Sequence, residues 1–160
     1  MSRHTSARKA INAINAVKAI MKQLKDTVKF TTIAYLGKCL TTLFETIHQH
    51  APRLTNALRK ECNALEGECR ALYDQTYRRV FLTALSTLIQ QVAMLKRHRN
   101  MFDFDTYIAR YEAIIARFYQ HYDDYKVDTE ADDTEALDLE NRFNRACDLV
   151  MHDINVIIGL

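Results

Sequence analysis

The stretch INAVKAIMKQLKDTV, residues 14–28, indicates the fold class of this 160-residue chain most directly. Its large apolar residues recur at alternating intervals of three and four, which is the repeat of one apolar seam along an α-helix. The seam consists of Ile14, Val17, Met21, Leu24 and Val28. The pattern predicts a first amphipathic helix over about residues 6–29.

Three of the four remaining predicted helices have simple boundaries. The second begins near Thr31 after a break in TVKFTTI, residues 27–33, although one continuous bent helix is the alternative. The fourth begins at Asp103 or Asp105, since either aspartate could cap it. The seam of the fourth helix is Ile108, Tyr111, Ile115, Phe118 and Tyr122. The seam of the last helix is Leu139, Phe143, Cys147, Val150, Ile154 and Ile157.

The third helix is the irregular one. Pro52 is the single proline of the chain and is best tolerated in a first helical turn, so the second helix should end near His50 and the third should begin at Pro52 or Arg53. Its apolar seam changes register within YDQTYRR, residues 73–79. An unbroken helix here would be nearly 70 Å long. We therefore expect a kink or a split with Asp74 as a new cap, or an end that projects as a binding arm.

Composition supports an all-α fold. Three glycines and one proline are too few for the many tight turns of a sandwich or barrel. We predict an all-α bundle of about five amphipathic helices with up-and-down connections, the third long and kinked or split. The prediction is one domain over residues 1–160, with basic helices over 6–98 and an acidic loop and helices over 103–158.

Location is inferred from what the sequence lacks. No apolar run reaches the eighteen or so residues of a membrane helix, and no secretory signal is present. Cys62 and Cys69 are too far apart on one helix to pair, so we expect reduced thiols and an intracellular location, cytoplasmic or nuclear. The acid-free, amphipathic first 25 residues make a mitochondrial location an alternative.

The acidic stretch DDYKVDTEADDTE, residues 123–135, is the first candidate for a metal site. A calcium loop that starts at Asp128 would need glycine at its sixth position and glutamate at its twelfth, but Asp133 and Leu139 stand there. The spacing of Thr129, Asp132 and Glu135 instead predicts an exposed loop that starts the last helix. We therefore predict no metal site in this stretch.

The other candidates for a metal site or a catalytic site are no stronger. His48 and His50 are two residues apart and diverge on a helix, and no cysteine pair has the spacing of zinc ligands. The chain has no phosphate-binding glycine loop, nucleophile elbow or zinc-protease motif. We predict no catalytic, cofactor-binding or metal-binding residue and no small-molecule substrate, and we expect the protein not to be an enzyme.

Charge segregation is the strongest functional signal. Residues 1–100 contain 17 lysines and arginines against 6 acids, a net charge of +11, whereas residues 101–160 contain 5 against 14, a net charge of −9. The predicted basic surface comprises Arg8, Lys9, Lys18, Lys22, Lys25, Lys29, Arg78, Arg79, Lys96, Arg97 and Arg99. The predicted acidic surface comprises Asp123, Asp124, Asp128, Glu130, Asp132, Asp133 and Glu135.

Three interpretations of this charge pattern compete. The two halves could compensate each other within one chain, the basic stripe could follow a phosphate backbone, or the basic surface of one copy could meet the acidic surface of the next. We predict a non-enzymatic interaction or assembly subunit that binds a protein partner or copies of itself. The alternative is a nucleocapsid-like or packaging protein that binds nucleic acid through Arg8, Lys9 and the lysines from Lys18 to Lys29.

Overall fold

A computed structural model describes residues 2–125 and 134–159, and within these ranges the chain forms helices and no strand. The helices are α1 (Arg3–Asp26), α2 (Phe30–His50), α3 (Asn56–Arg97), α4 (Phe104–Tyr125) and α5 (Thr134–Ile157). Short 3-10 turns, Ala51–Arg53 and Arg99–Met101, precede α3 and α4. The predicted all-α helical bundle with five helices is confirmed.

The ends of α1 are set by side chains at both termini. The Ser2 side chain accepts a hydrogen bond from the backbone N–H of Thr5 at 3.2 Å, which starts the helix three residues earlier than predicted. At the other end, the Thr27 hydroxyl donates a hydrogen bond to the carbonyl of Gln23 at 2.8 Å. The backbone of Thr27 is extended, which ends the helix. The predicted break is confirmed, but Val28 is 70% exposed and is not part of the core. The extended conformation at Thr27 takes Val28 out of the helical register.

Helix α3 begins later than predicted. Its first turn is capped by Thr55, whose Oγ1 accepts from the backbone N–H of Leu58 at 3.2 Å. Pro52 lies in the preceding 3-10 turn and not in α3, so the predicted start at Pro52 or Arg53 is wrong. The predicted end of the second helix at His50 is confirmed.

Helix α3 is also continuous. It runs for 42 residues through the stretch 73–79, so the predicted split and the new start at Asp74 are wrong. Its two seams lie on different faces of one helix. The buried residues of the first seam are Cys62, Leu65, Cys69 and Thr76, and those of the second are Phe81, Leu85, Leu88, Val92 and Leu95. A change of buried face does not require a break, because the backbone hydrogen bonds of a helix do not depend on which side is covered.

The chain divides into two compact units at residues 80 and 81. Unit 1 contains α1, α2 and the first part of α3, and α1 packs against α2. Its core residues include Ile14, Val17, Leu24, Leu36, Leu40, Ile47, Leu65 and Cys69. Two buried polar residues, Ser6 and His50, share a hydrogen bond of 3.3 Å between Oγ and Nδ1. The prediction of a single domain over residues 1–160 stays a prediction.

Unit 2 contains the second part of α3 together with α4 and α5. Asp103 caps α4 by accepting from the backbone N–H of Thr106 at 2.8 Å, and this hydrogen bond lowers the pKa of the Asp103 carboxyl. The rings of Phe118 and Phe143 stack with their centroids 3.8 Å apart and form the centre of the core. The predicted seam of the last helix is buried from Leu139 to Ile154, but its final member, Ile157, is 45% exposed.

Candidate functional site

One exposed face of α1 carries three lysines. Lys18, Lys22 and Lys25 follow each other at intervals of four and three residues, so they lie on one side of the helix, and all three are exposed. Ile11, which is 47% exposed, lies on the same side, two turns before Lys18. We call these four residues the lysine face. Lys18 lies 3.7 Å from Glu61, and neither Lys22 nor Lys25 has an acidic partner among the described residues.

The rest of the predicted N-terminal stripe is arranged differently. Arg8 and Lys9 are both exposed. Lys9 is nine residues from Lys18 and lies on the opposite side of α1, whereas Arg8 is three residues before Ile11 and lies beside the lysine face. Lys29 is exposed and lies beyond the end of α1, where it immediately precedes α2. The predicted stripe of four helical lysines is therefore a stripe of three, because the helix ends at Asp26.

Two of the predicted surface arginines donate hydrogen bonds to backbone carbonyls of the chain. The Arg79 guanidinium donates to the carbonyl oxygens of Leu24 and Lys25, each at 3.3 Å, at the end of α1. The Arg99 guanidinium donates to the carbonyl of Phe102 at 3.3 Å and lies 4.8 Å from the ring centroid of Tyr107. The Arg79 contact lies at the C-terminus of α1, where cations are favoured, whereas the Arg99 contact lies within the short turn that precedes α4.

The other predicted cations lie along α3. Arg78 is half-buried in unit 1, whereas Lys96 is half-buried and Arg97 exposed in the last turn of α3 in unit 2. Their places in the chain thus assign the eleven predicted basic residues to two different units.

Part of the predicted acidic surface belongs to helices. Asp123 and Asp124 are exposed in the last turn of α4, and Glu135 is exposed in the first turn of α5, so the expected loop does not extend over the whole stretch 123–135. The reason is that α4 continues to Tyr125 before the chain leaves the helix. The predicted caps Thr129 and Asp132 lie outside the described residues, as do the acids Asp128, Glu130, Asp132 and Asp133.

A second acidic feature was missed by sequence reasoning. Asp105, Glu112 and Asp123 are exposed on one side of α4, with the exposed small residues Ala109 and Ala116 between them. We call the three acids the α4 acidic face, and none of them has a cationic partner among the described residues. Their spacings of seven and eleven residues are visible in the sequence, but they were overlooked because the clustered acids after α4 dominated the pattern.

The division into two units keeps the signs of the charge segregation but reduces its size, because Lys96, Arg97 and Arg99 fall in the acidic unit. Residues 1–80 contain 14 lysines and arginines against 6 acids, a net charge of +8, and residues 81–160 contain 8 against 14, a net charge of −6. The lysine face therefore belongs to a basic unit, and the α4 acidic face belongs to an acidic one.

A groove of about 690 Å³ in unit 1 lies between α2 and α3. Its rim contains Glu66, whose carboxylate contacts His48 at 3.1 Å and Arg70 at 3.7 Å. Burial, and then the Glu66 carboxylate, raise the pKa of the Cys69 thiol in this groove above its ordinary value of 9.0. That shift disfavours the thiolate, the form in which a cysteine acts as a nucleophile.

No protein-family model, curated protein or solved structure matches the chain. Within residues 2–125 and 134–159, no group of three histidine, cysteine, aspartate or glutamate side chains is placed to hold a metal ion. Among the helices that the structure describes, none is both long and apolar enough to cross a membrane. The features of the described residues that bear on function are thus the lysine face, the α4 acidic face and the grooves.

Proposed function

We propose that the protein is a non-enzymatic assembly subunit whose copies associate through the lysine face of one copy and the α4 acidic face of the next. The observation that carries this proposal is the matched spacing of the two faces. Lys18 and Lys25 are seven residues apart, as are Asp105 and Glu112. Seven helical residues correspond to about 10.5 Å, so opposite charges on two packed helices come into register.

The neighbouring residues suit a helix-to-helix contact. Ala109 and Ala116 lie between the acids, and their small side chains allow another helix to approach closely. Ile11 on the lysine face and Tyr119 beside the acids are exposed and supply apolar surface. Charged pairs at such a surface orient the two copies and speed their association. Salt screens exposed charges, so the contact should weaken as salt is added.

The proposed contact is heterologous, because two different surfaces of the same chain meet. Repetition of such a contact produces a closed ring or an open filament, depending on the rotation between successive copies. We propose an intracellular location, cytoplasmic or nuclear, for this assembly, since all four cysteines are free thiols.

Light scattering during size-exclusion chromatography tests the proposal across protein concentration and salt. We expect the wild-type mass to rise with concentration at low salt and to fall at high salt. Lys22→Glu/Lys25→Glu should prevent association, because it places like charges against the α4 acidic face. Lys9→Glu/Lys60→Glu is the matched control: it changes the net charge equally at two exposed lysines off the lysine face and should leave association unchanged.

A charge-swap experiment makes the test specific for the two faces. Asp105→Lys/Glu112→Lys should also prevent association. An equimolar mixture of this variant with Lys22→Glu/Lys25→Glu should assemble again, since each then offers a face that complements the other. A wild-type protein that stays monomeric at every concentration and salt, or a mixture that stays monomeric, would overturn the proposal. A monomer that binds DNA or RNA through the same lysines would instead support nucleic-acid packaging.

A further inference from the structure

A second groove, in unit 2, lies between the second part of α3 and α4. Its volume is about 570 Å³, and it is an open groove rather than an enclosed cavity. Met94, Leu95 and Ile114 form its apolar surface, and Gln90 and Gln91 add amide groups. This groove is separate from the α4 acidic face, because the α4 residues that line it lie on another side of that helix.

The charge of this groove is opposite to that of its unit. Arg110 and Arg117 line it together with His98, and no described lining residue is an aspartate or a glutamate. Unit 2 as a whole has 14 acids against 8 lysines and arginines. A groove with only cationic charge in an acidic unit is suited to an anionic ligand.

The two arginines are positioned for such a ligand. The guanidinium of Arg110 lies 4.8 Å from the ring centroid of Phe102, which holds it in place before any ligand arrives. Arg117 follows two helical turns later, about 10.5 Å away along the axis. Next to it, burial and then the Arg117 cation lower the pKa of His121, as expected where a second positive charge is disfavoured.

We propose that this groove binds an acidic amphipathic helix of a protein partner, with two carboxylates seven residues apart and an apolar residue between them. Carboxylates in this spacing would reach Arg110 and Arg117 together, and the intervening apolar side chain would cover Ile114 and Met94. Arginine suits this role because its planar guanidinium can bind both oxygens of a carboxylate. The groove's shape supports a helix over a small molecule, because the α3 side of the groove extends for three turns, from Thr87 to His98.

Fluorescence anisotropy with a designed probe tests the proposal on the full-length protein. The probe is a fluorescein-labelled, acetylated helical peptide of 18 residues with glutamates at positions i and i+7 and leucines at i+3 and i+4. Peptides with glutamine or lysine in place of both glutamates are the controls. We expect binding in the order glutamate, glutamine, lysine, with the glutamate peptide bound at least about tenfold more tightly than the glutamine peptide.

The protein variants then locate the site. Arg110→Gln/Arg117→Gln should weaken binding of the glutamate peptide by about tenfold or more. Arg142→Gln/Arg145→Gln removes the same charge from exposed positions of α5 in the same unit and should change binding less than about twofold. Circular dichroism of each variant checks that it is folded. A further variant, Arg117→Lys, keeps the positive charge but removes the planar guanidinium.

Three results would overturn the proposal. The first is no detectable binding of the glutamate peptide, or equal binding of all three peptides. The second is an equal loss in both arginine pairs, which would show a dependence on net charge alone. The third is displacement of the peptide by single-stranded oligonucleotides or inorganic phosphate at concentrations at which free glutamate does not displace it. That result would show that the groove binds phosphate groups.

Discussion

The Arg79 guanidinium donates a hydrogen bond to the carbonyl oxygen of Leu24 at 3.3 Å, across 55 positions of sequence. A second bond of the same length reaches the carbonyl of Lys25. The last carbonyls of a helix have no donor within the helix, and they form its negative end. Arg79 therefore joins α3 to the C-terminus of α1 and stabilises the chain reversal that places α2 against α1.

Replacement of Arg79 by alanine should lower the free energy of unfolding by about 1–2 kcal/mol, because two carbonyls lose a charged donor. Urea denaturation followed by circular dichroism measures this change. Lys22→Ala, which removes an unpaired exposed cation from the same unit, should change the value by less than about 0.5 kcal/mol. Equal effects of the two substitutions would show that Arg79 has no structural role beyond its charge.

Sequence periodicity predicted the fold class because it reports which side of each helix is covered. The seam from Ile14 to Leu24 is largely buried, and the break before α2 lies where the β-branched run indicated it. Helix ends were less predictable, because they depend on single capping contacts. Thr27 and Thr55 set two of those ends, and the exposure of Val28 and the later start of α3 follow from them.

The candidate surfaces were predictable only in part. Lys18, Lys22 and Lys25 lie on one side of α1, as their spacing indicated, but their exposure is seen only in the structure. Arg79 and Arg99 were assigned to the same surface because sequence cannot show which carbonyl lies within reach of a long side chain. The groove with Arg110 and Arg117 was not predicted. Residues of two helices line it, and the spacing of residues within one helix does not show which other helix lies beside it.

Two buried tyrosines of α4 should respond in opposite ways to loss of their hydroxyls. Tyr111 donates to the carbonyl of Cys147 at 3.3 Å, whereas the hydroxyl of the fully buried Tyr107 has no hydrogen-bond partner among the described residues. Tyr111→Phe should lower the free energy of unfolding by about 1 kcal/mol, and Tyr107→Phe should leave it unchanged or raise it by up to about 1 kcal/mol. Chemical denaturation of both variants tests this, and a larger loss in Tyr107→Phe would contradict it.

Gly37 should be intolerant of a side chain although it lies inside a helix. A Cβ atom at this position would lie 2.9 Å from the hydroxyl oxygen of Tyr73 and 3.1 Å from a carbon of its ring. Gly37→Ala should therefore lower the free energy of unfolding despite the better helix propensity of alanine. Gly67→Ala in α3 is the control, since nothing lies within 4 Å of the added atom, and it should raise the value by about 0.8–1 kcal/mol. A gain of that size at both positions would mean that Tyr73 moves aside without cost.

The free energy of unfolding should fall at alkaline pH because buried cysteine thiols and a buried tyrosine phenol of the core keep their protons in the folded state. Burial is the largest cause that raises the pKa of the Cys69 and Cys147 thiols above 9.0 and that of the Tyr111 phenol above 10.0. A folded-state pKa above the unfolded value gives stability that is complete below the unfolded pKa and is lost as pH rises towards the folded one. The free energy of unfolding, measured by urea denaturation, should therefore be nearly constant from about pH 7.5 to about pH 9 and decline above it. Cys69→Ala/Cys147→Ala should show a shallower decline just above pH 9, and Tyr111→Phe a shallower decline above pH 10. An unchanged slope in both variants would assign the decline to other groups.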